Sequence, residues 1–183
     1  MLIITVSGSK SGVGKTTLAV LLLSRLPGYA AIKVTATDFF VSVTDDPEKV
    51  DVPGKDTALM KQAGAGPVVW VQSPPEDLSE ALSYALNLAG DVKGVVVEGN
   101  SPLRLIKPDA AFFVTGADLA DAKPGALEIL ARADIVVVNV EEDEPPASAV
   151  EAIRGHNRLA VVTTMKNMRS PGRETEEFFA KFG

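Results

Sequence analysis

Leu2-Ile3-Ile4-Thr5-Val6-Ser7-Gly8-Ser9-Lys10-Ser11-Gly12-Val13-Gly14-Lys15-Thr16-Thr17 is the stretch on which the fold turns. Leu2 to Val6 is apolar and β-rich and ends at Ser7-Gly8. Gly14 to Leu26 has the composition of a helix, stopped by Pro27-Gly28. Tyr29 to Thr35 reads as the next strand. Strand, glycine-rich turn, helix and strand in this order open a parallel βαβ unit. The turn satisfies the P-loop pattern Gly-x4-Gly-Lys-Ser/Thr at Gly14-Lys15-Thr16. The pattern's first position is Ser9, with Gly8 one residue earlier.

The residue types fit a polyphosphate. Gly12 and Gly14 let the backbone turn its N–H groups inward without a Cβ clash. The helix that starts near Gly14 adds the positive end of its dipole. Lys15 is expected to reach the β- and γ-phosphates and to act in catalysis, and the Thr16 hydroxyl to ligate Mg²⁺. The expected nucleotide contacts in the loop are Ser11, Gly12, Val13, Gly14, Lys15, Thr16 and Thr17.

Downstream, apolar strands keep alternating with helices. Strands are predicted at Pro67 to Gln72, Lys93 to Glu98, Ala110 to Thr115, Ile135 to Val140 and Leu159 to Thr164. Helices are predicted at Glu76 to Ala89, Pro124 to Ala133, Ala147 to Arg154 and Glu174 to Phe182, with a short one at Thr57 to Gln62. Strands with no polar alternation belong to a sheet covered on both faces. The expectation is a three-layer α/β domain spanning residues 1–183, with a mostly parallel sheet of seven strands. Ala36 to Ala65 has no clear pattern, and a long connection of that kind is usually functional.

Val95-Val96-Val97-Glu98-Gly99-Asn100 has the form of a Walker B strand, with glutamate in place of the usual aspartate. An acid at the carboxyl end of a parallel strand faces the crevice in which such sheets bind ligands. There Glu98 can hold Mg²⁺ or orient an attacking water. Asp38 follows the second strand and is a further candidate for Mg²⁺. Lys33 lies within that strand, where a charge needs a partner, and is a candidate phosphate contact.

Composition narrows the chemistry. The 183 residues carry a formal net charge of −6, which argues against a broad nucleic-acid surface. There is no cysteine and one histidine, His156, so a metal is expected to use oxygen ligands, which favours Mg²⁺. The apolar stretch Leu18 to Leu23 is far shorter than the ~20 residues of a membrane span, and a cytoplasmic location is the default expectation. Phe178, Phe179 and Phe182 are expected to cover the sheet rather than enter lipid, because Glu174, Glu176 and Glu177 would be repelled by an anionic surface.

Lys10-Ser11-Gly12-Val13-Gly14-Lys15-Thr16-Thr17 resembles the deviant P-loop of the MinD, ParA and dethiobiotin synthetase class, with Ser11 where many members have glycine. In some of those proteins the extra lysine reaches the nucleotide of a partner subunit. The resemblance therefore implies a catalytic role for Lys10 and a homodimer around nucleotide. Over roughly residues 1 to 115 the chain further resembles the molybdopterin-guanine dinucleotide biosynthesis protein B family. The shared features are the P-loop, Ile32-Lys33, Gly54-Lys55-Asp56-Thr57, Ala63-Gly64-Ala65 and Val97-Glu98-Gly99-Asn100. That likeness implies a GTP-binding protein with weak GTPase activity that assists the nucleotidyltransferase attaching GMP to molybdopterin. It also implies that Lys55 and Asp56 lie on a mobile loop near the site. The run Val34-Thr35-Ala36-Thr37 departs from the histidines that the family often carries there.

Base choice is not written in a clean motif. Asn139 ends a strand suitably and is the candidate base contact, while Lys166-Asn167 follows the last strand in reversed order, so GTP and ATP both remain open. Two other activities fit the same residues. One is ATP-dependent phosphoryl transfer of the dethiobiotin synthetase type. The other is a switch that binds nucleotide without turnover and moves residues 36–65.

Overall fold

The computed structural model describes residues 1–169 and 173–182, and the side chains of 1–169 and 178–182. One eight-stranded sheet organises them. In chain order its strands are β1 (Leu2–Gly8), β2 (Tyr29–Ala36), β3 (Ser42–Thr44), β4 (Val68–Ser73), β5 (Gly94–Glu98), β6 (Ala110–Thr115), β7 (Ile135–Val138) and β8 (Val161–Thr164). Their order across the sheet is β3-β4-β2-β5-β1-β6-β7-β8. Every neighbouring pair is parallel except β3 with β4.

The helices are α1 (Lys15–Arg25), α2 (Pro47–Val50), α3 (Asp56–Gln62), α4 (Leu78–Ala89), α5 (Ala126–Leu130), α6 (Ala147–His156), α7 (Met165–Arg169) and α8 (Arg173–Phe182). Because side chains alternate along a strand, each central strand feeds two cores. On one face Ile4, Val6, Ala31, Val96, Phe112 and Val137 pack with Leu18 and Leu22 of α1, Met60 of α3, Met165 of α7 and Phe179 of α8. On the other face α4 covers Ile32, Val69, Val71 and Val97. Beside it α5 and α6 cover Phe113, Val136 and Val138.

The expected α/β architecture stands, and the sheet is one strand larger than expected. The eighth strand is β3, three residues long and antiparallel at the edge, inside the segment read as irregular. Two short helices, α2 and α7, were also not expected. Pro124 to Ala133 yields only the five-residue α5. Phe179 and Phe182 are buried and Phe178 meets Phe112 edge-on at 5.1 Å, so the tail covers the sheet as expected. The side chains of Glu174, Glu176 and Glu177 lie outside the described residues.

Gly94 shows how tightly the centre is filled. A Cβ there would sit 2.3 Å from Cε1 of the fully buried Tyr29 ring and 2.9 Å from the Leu2 carbonyl oxygen. Tyr29 is held in place because its hydroxyl donates to the Phe182 carbonyl at 2.8 Å. Gly94→Ala is expected to cost about 2 kcal/mol through overpacking, a fall of roughly 4–8 °C in Tm by calorimetry.

Candidate functional site

The site is built where β1, β2 and β5 end. Register brings its charges together: Val6 lies opposite Glu98, and Glu98 opposite Lys33. Lys33 and Glu98 point to the face that carries α1, the face of Ala31 and Val96 two residues before them. The Lys33 ammonium donates to Glu98 Oε1 at 2.6 Å and pairs with Asp56 Oδ2 at 2.7 Å. Glu98 is 1% exposed and accepts a second hydrogen bond, from the Thr16 hydroxyl to Oε2 at 3.0 Å. Both oxygens of this buried carboxylate are therefore engaged, as burial of a charge requires.

Residues 9–14 form the turn between β1 and α1. Gly12 and Gly14 have φ of 73° and 108°, the left-handed region that glycine tolerates. Gly14 is also crowded, since a Cβ on it would lie 2.9 Å from the Asn139 amide nitrogen. The Asn100 amide clamps the start of the turn, accepting from the Gly8 N–H at 2.9 Å and donating to the Gly8 carbonyl at 2.8 Å. Lys123 braces the outside: its backbone N–H donates to the Ser9 carbonyl at 2.8 Å and its ammonium to Ser11 Oγ at 2.9 Å. Lys15 bends back over the turn and donates to the Lys10 carbonyl at 2.8 Å.

An open cleft of about 670 Å³ runs over this turn, lined by Ser11, Gly12, Gly14, Lys15, Thr16 and Thr17 on one side and by Lys33, Asp56 and Glu98 on the other. Lys123 and the β2 residues Val34, Thr35 and Ala36 complete the lining. Its size falls within the ~300–1,000 Å³ usual for small-molecule sites.

Burial pushes the Lys15 ammonium below its ordinary 10.5, although Glu98 works in the opposite direction. Burial also disfavours charge on Lys33, but Glu98 and Asp56 together outweigh it and its pKa is raised. An anion bound at the turn would restore the proton affinity of Lys15. Anion affinity is thus full below the lowered Lys15 value and falls as pH rises through it, in a window where Lys33 keeps its charge. Nucleotide titrations from neutral to alkaline pH are expected to show this decline, and Lys15→Ala to lack it.

Among the expected site residues, the cleft gathers Ser11, Gly12, Gly14, Lys15, Thr16, Thr17, Lys33 and Glu98. Four are placed otherwise. Asp38 is exposed on the connection after β2 and does not line the cleft; Asp56, the first residue of α3, takes the acidic place beside Lys33. Lys10 also stays out of the lining, its ammonium paired with Asp121 at 3.0 Å. Asn139 does not line the cleft; it donates one amide N–H to the Val13 carbonyl at 2.9 Å and so braces the turn. Val13 buries its side chain in the core and has only its backbone to offer. Lys55 and Asp56 stand at the start of α3 rather than within a loop.

Asn100 and Lys123 were not expected as parts of the site, whereas Asp56 was expected near it and lines the cleft. Asn100 and Asp56 stood in the quoted Val-Glu-Gly-Asn and Gly-Lys-Asp-Thr stretches, which was the available signal. Lys123, before Pro124-Gly125, had none beyond a turn composition.

No family model matches the chain, and no curated protein matches its sequence. Solved structures do match. Hydrogenase maturation factor HypB from Archaeoglobus fulgidus is 15% identical with a TM-score of 0.61, over 99% of this chain and 88% of that one. HypB from Helicobacter pylori in complex with nickel is 11% identical with a TM-score of 0.60, over 98% and 84%. The MinC:MinD cell division protein complex of Aquifex aeolicus is 16% identical with a TM-score of 0.51, over 100% and 86%. At these identities the likeness establishes the fold alone, a mostly parallel sheet covered by helices.

Proposed function

We propose that the chain binds a purine nucleoside triphosphate with Mg²⁺ and hydrolyses it slowly. The observation that carries this reading is the convergence of Thr16 and Lys33 on Glu98 beneath a glycine turn lined by Lys15. The turn supplies inward N–H groups and one ammonium for the phosphates. The Thr16 hydroxyl and the Glu98 carboxylate, 3.0 Å apart, are two hard oxygen donors at one point of the cleft. That donor set fits Mg²⁺, which prefers oxygen ligands and keeps several waters. When bound, the ion would neutralise charge on the phosphates.

The remaining steps belong to the protein's own groups. Lys15 exchanges the Lys10 carbonyl for phosphate oxygens. Lys33, held by Glu98 and Asp56, presents positive charge at the far side of the cleft. Glu98, on exchanging one of its present hydrogen bonds, would orient a water. Asn100 keeps the turn in its binding shape, and Lys123, which lines the cleft, braces it through Ser11.

The resemblance to the molybdopterin-guanine dinucleotide biosynthesis protein B family favours GTP over ATP. It also suggests a nucleotidyltransferase of the molybdenum cofactor as partner, and the deviant P-loop suggests a second copy of the chain. That two neighbours in fold are HypB, a hydrogenase maturation factor, agrees with an accessory role in assembling a metal cofactor. The test is phosphate release from GTP and ATP with and without Mg²⁺. Slow, Mg²⁺-dependent release favouring GTP is expected. Equal release without Mg²⁺ contradicts the assignment of Thr16 and Glu98, and a preference for ATP contradicts the proposed pathway.

A further inference from the structure

A second cavity, of about 320 Å³, opens beside the nucleotide cleft and is lined by Lys33, Thr35, Gly54, Lys55, Asp56, Thr57 and Trp70. It shares Lys33, Thr35 and Asp56 with the cleft but lies across β2 from it. The sheet register sets this arrangement, because Trp70 of β4 lies opposite Lys33, and Lys33 opposite Glu98.

The polar groups of this cavity are mostly donors. Thr57 is 3% exposed, yet its Oγ1 has no hydrogen-bond partner. A buried hydroxyl left unpaired is costly, and rotation of this side chain toward the cavity would give it a ligand atom as partner. Thr35 Oγ1 accepts from the Trp70 indole N–H at 3.1 Å, which leaves the Thr35 proton to donate. Lys33 spends two of its three N–H groups on Glu98 and Asp56. The Lys55 ammonium sits 4.8 Å from the centroid of the Trp70 ring, an attraction that holds an otherwise free side chain at the cavity wall. Lys33 is thus balanced by Asp56 and Glu98, and Lys55 is the ammonium of the cavity wall with no carboxylate partner among the described residues. The indole adds an apolar surface.

We propose that this cavity is a second ligand site, for a small organic anion with an apolar portion, a carboxylate or a phosphate ester. Lys55 and the Thr57 hydroxyl bind the anionic group, and Trp70 packs against the apolar part. The inference goes beyond the nucleotide reading and does not depend on it.

Trp70 is the single tryptophan of the chain, so its emission reports on this cavity. The experiment titrates the full chain with benzoate and with phenyl phosphate, against benzyl alcohol as the neutral control, with and without GTP and Mg²⁺. A saturable change in emission is expected with an anion and not with the alcohol. Which anion binds more tightly separates carboxylate from phosphate ester. Lys55→Ala and Thr57→Val are each expected to weaken binding about tenfold, the loss of one charge-assisted or buried hydrogen bond. Lys55 is exposed and Thr57→Val removes an unpaired hydroxyl, so both variants are expected to fold, and melting curves verify this. Lys15→Ala is expected to lose nucleotide and keep the anion. No saturable signal from either anion, unchanged affinity in Lys55→Ala, or loss of the anion in Lys15→Ala overturns the proposal. Failure of GTP to bind would sink the nucleotide reading while the anion titration still decided this one.

Discussion

Glu98→Ala is expected to lower stability and to remove the Mg²⁺ dependence of nucleotide binding at once. The side chain is 1% exposed and its two oxygens receive Lys33 and Thr16. Deleting it leaves the Lys33 ammonium, 17% exposed, with Asp56 as its remaining partner. Removing one member of a fully buried ion pair costs about 3–5 kcal/mol. Because Asp56 remains, the expected loss here is about 2 kcal/mol, read as a shift in the denaturation midpoint at unchanged slope. Glu98→Gln, which keeps the shape and an acceptor, is expected to lose less. The functional consequence has the opposite sign for bare nucleotide. With one negative charge gone from the cleft, GTP without Mg²⁺ is expected to bind more tightly, while added Mg²⁺ no longer helps. Turnover is expected to fall roughly 100-fold, the lower range for loss of a group that positions or activates water. A variant with undiminished Mg²⁺ dependence would show that the carboxylate serves Lys33 alone.

The second large effect is expected from Lys15→Ala. The Lys15 side chain is half-buried in the cleft, with its ammonium on the Lys10 carbonyl and its pKa lowered by burial. An ammonium in that state gains more from a phosphate than a fully hydrated one would. Charge-assisted hydrogen bonds contribute about 1.5–3 kcal/mol each, so nucleotide affinity is expected to fall roughly 100-fold. Stability is expected to stay level or rise slightly, since the buried charge is a cost in the free protein. Lys10→Ala, by contrast, removes a half-exposed pair with Asp121 and is expected to change nucleotide affinity by less than about threefold in the monomer.

The sequence made the central strands plain because β1, β5, β6 and β7 are buried on both faces and read as continuous apolar runs. The P-loop was plain for a similar reason: strand, glycine turn and lysine are contiguous in the chain. β3 was hidden because three residues at an antiparallel edge make no periodic pattern. The Lys33–Glu98 pair was half visible. Each residue stood out alone, but their contact depends on β5 lying next to β2, which no local spacing reveals. The same gap explains Asp38 and Asp56. Asp38 is closer in sequence to the strand that bears Lys33, but the chain passes through β3 and α2 before α3 returns Asp56 to the cleft. Asn139 was placed correctly at a strand end, and only tertiary packing shows that one of its amide N–H groups goes to the Val13 carbonyl.

The central claim is that the glycine turn with Lys15 receives a triphosphate. Calorimetric titration of the full chain with GTP and ATP in the presence of Mg²⁺ tests it most directly. One site per chain, with a Kd on the order of micromolar, is predicted for at least one of the two. Absence of heat for both nucleotides at millimolar concentration, or an unchanged isotherm in Lys15→Ala, would contradict it.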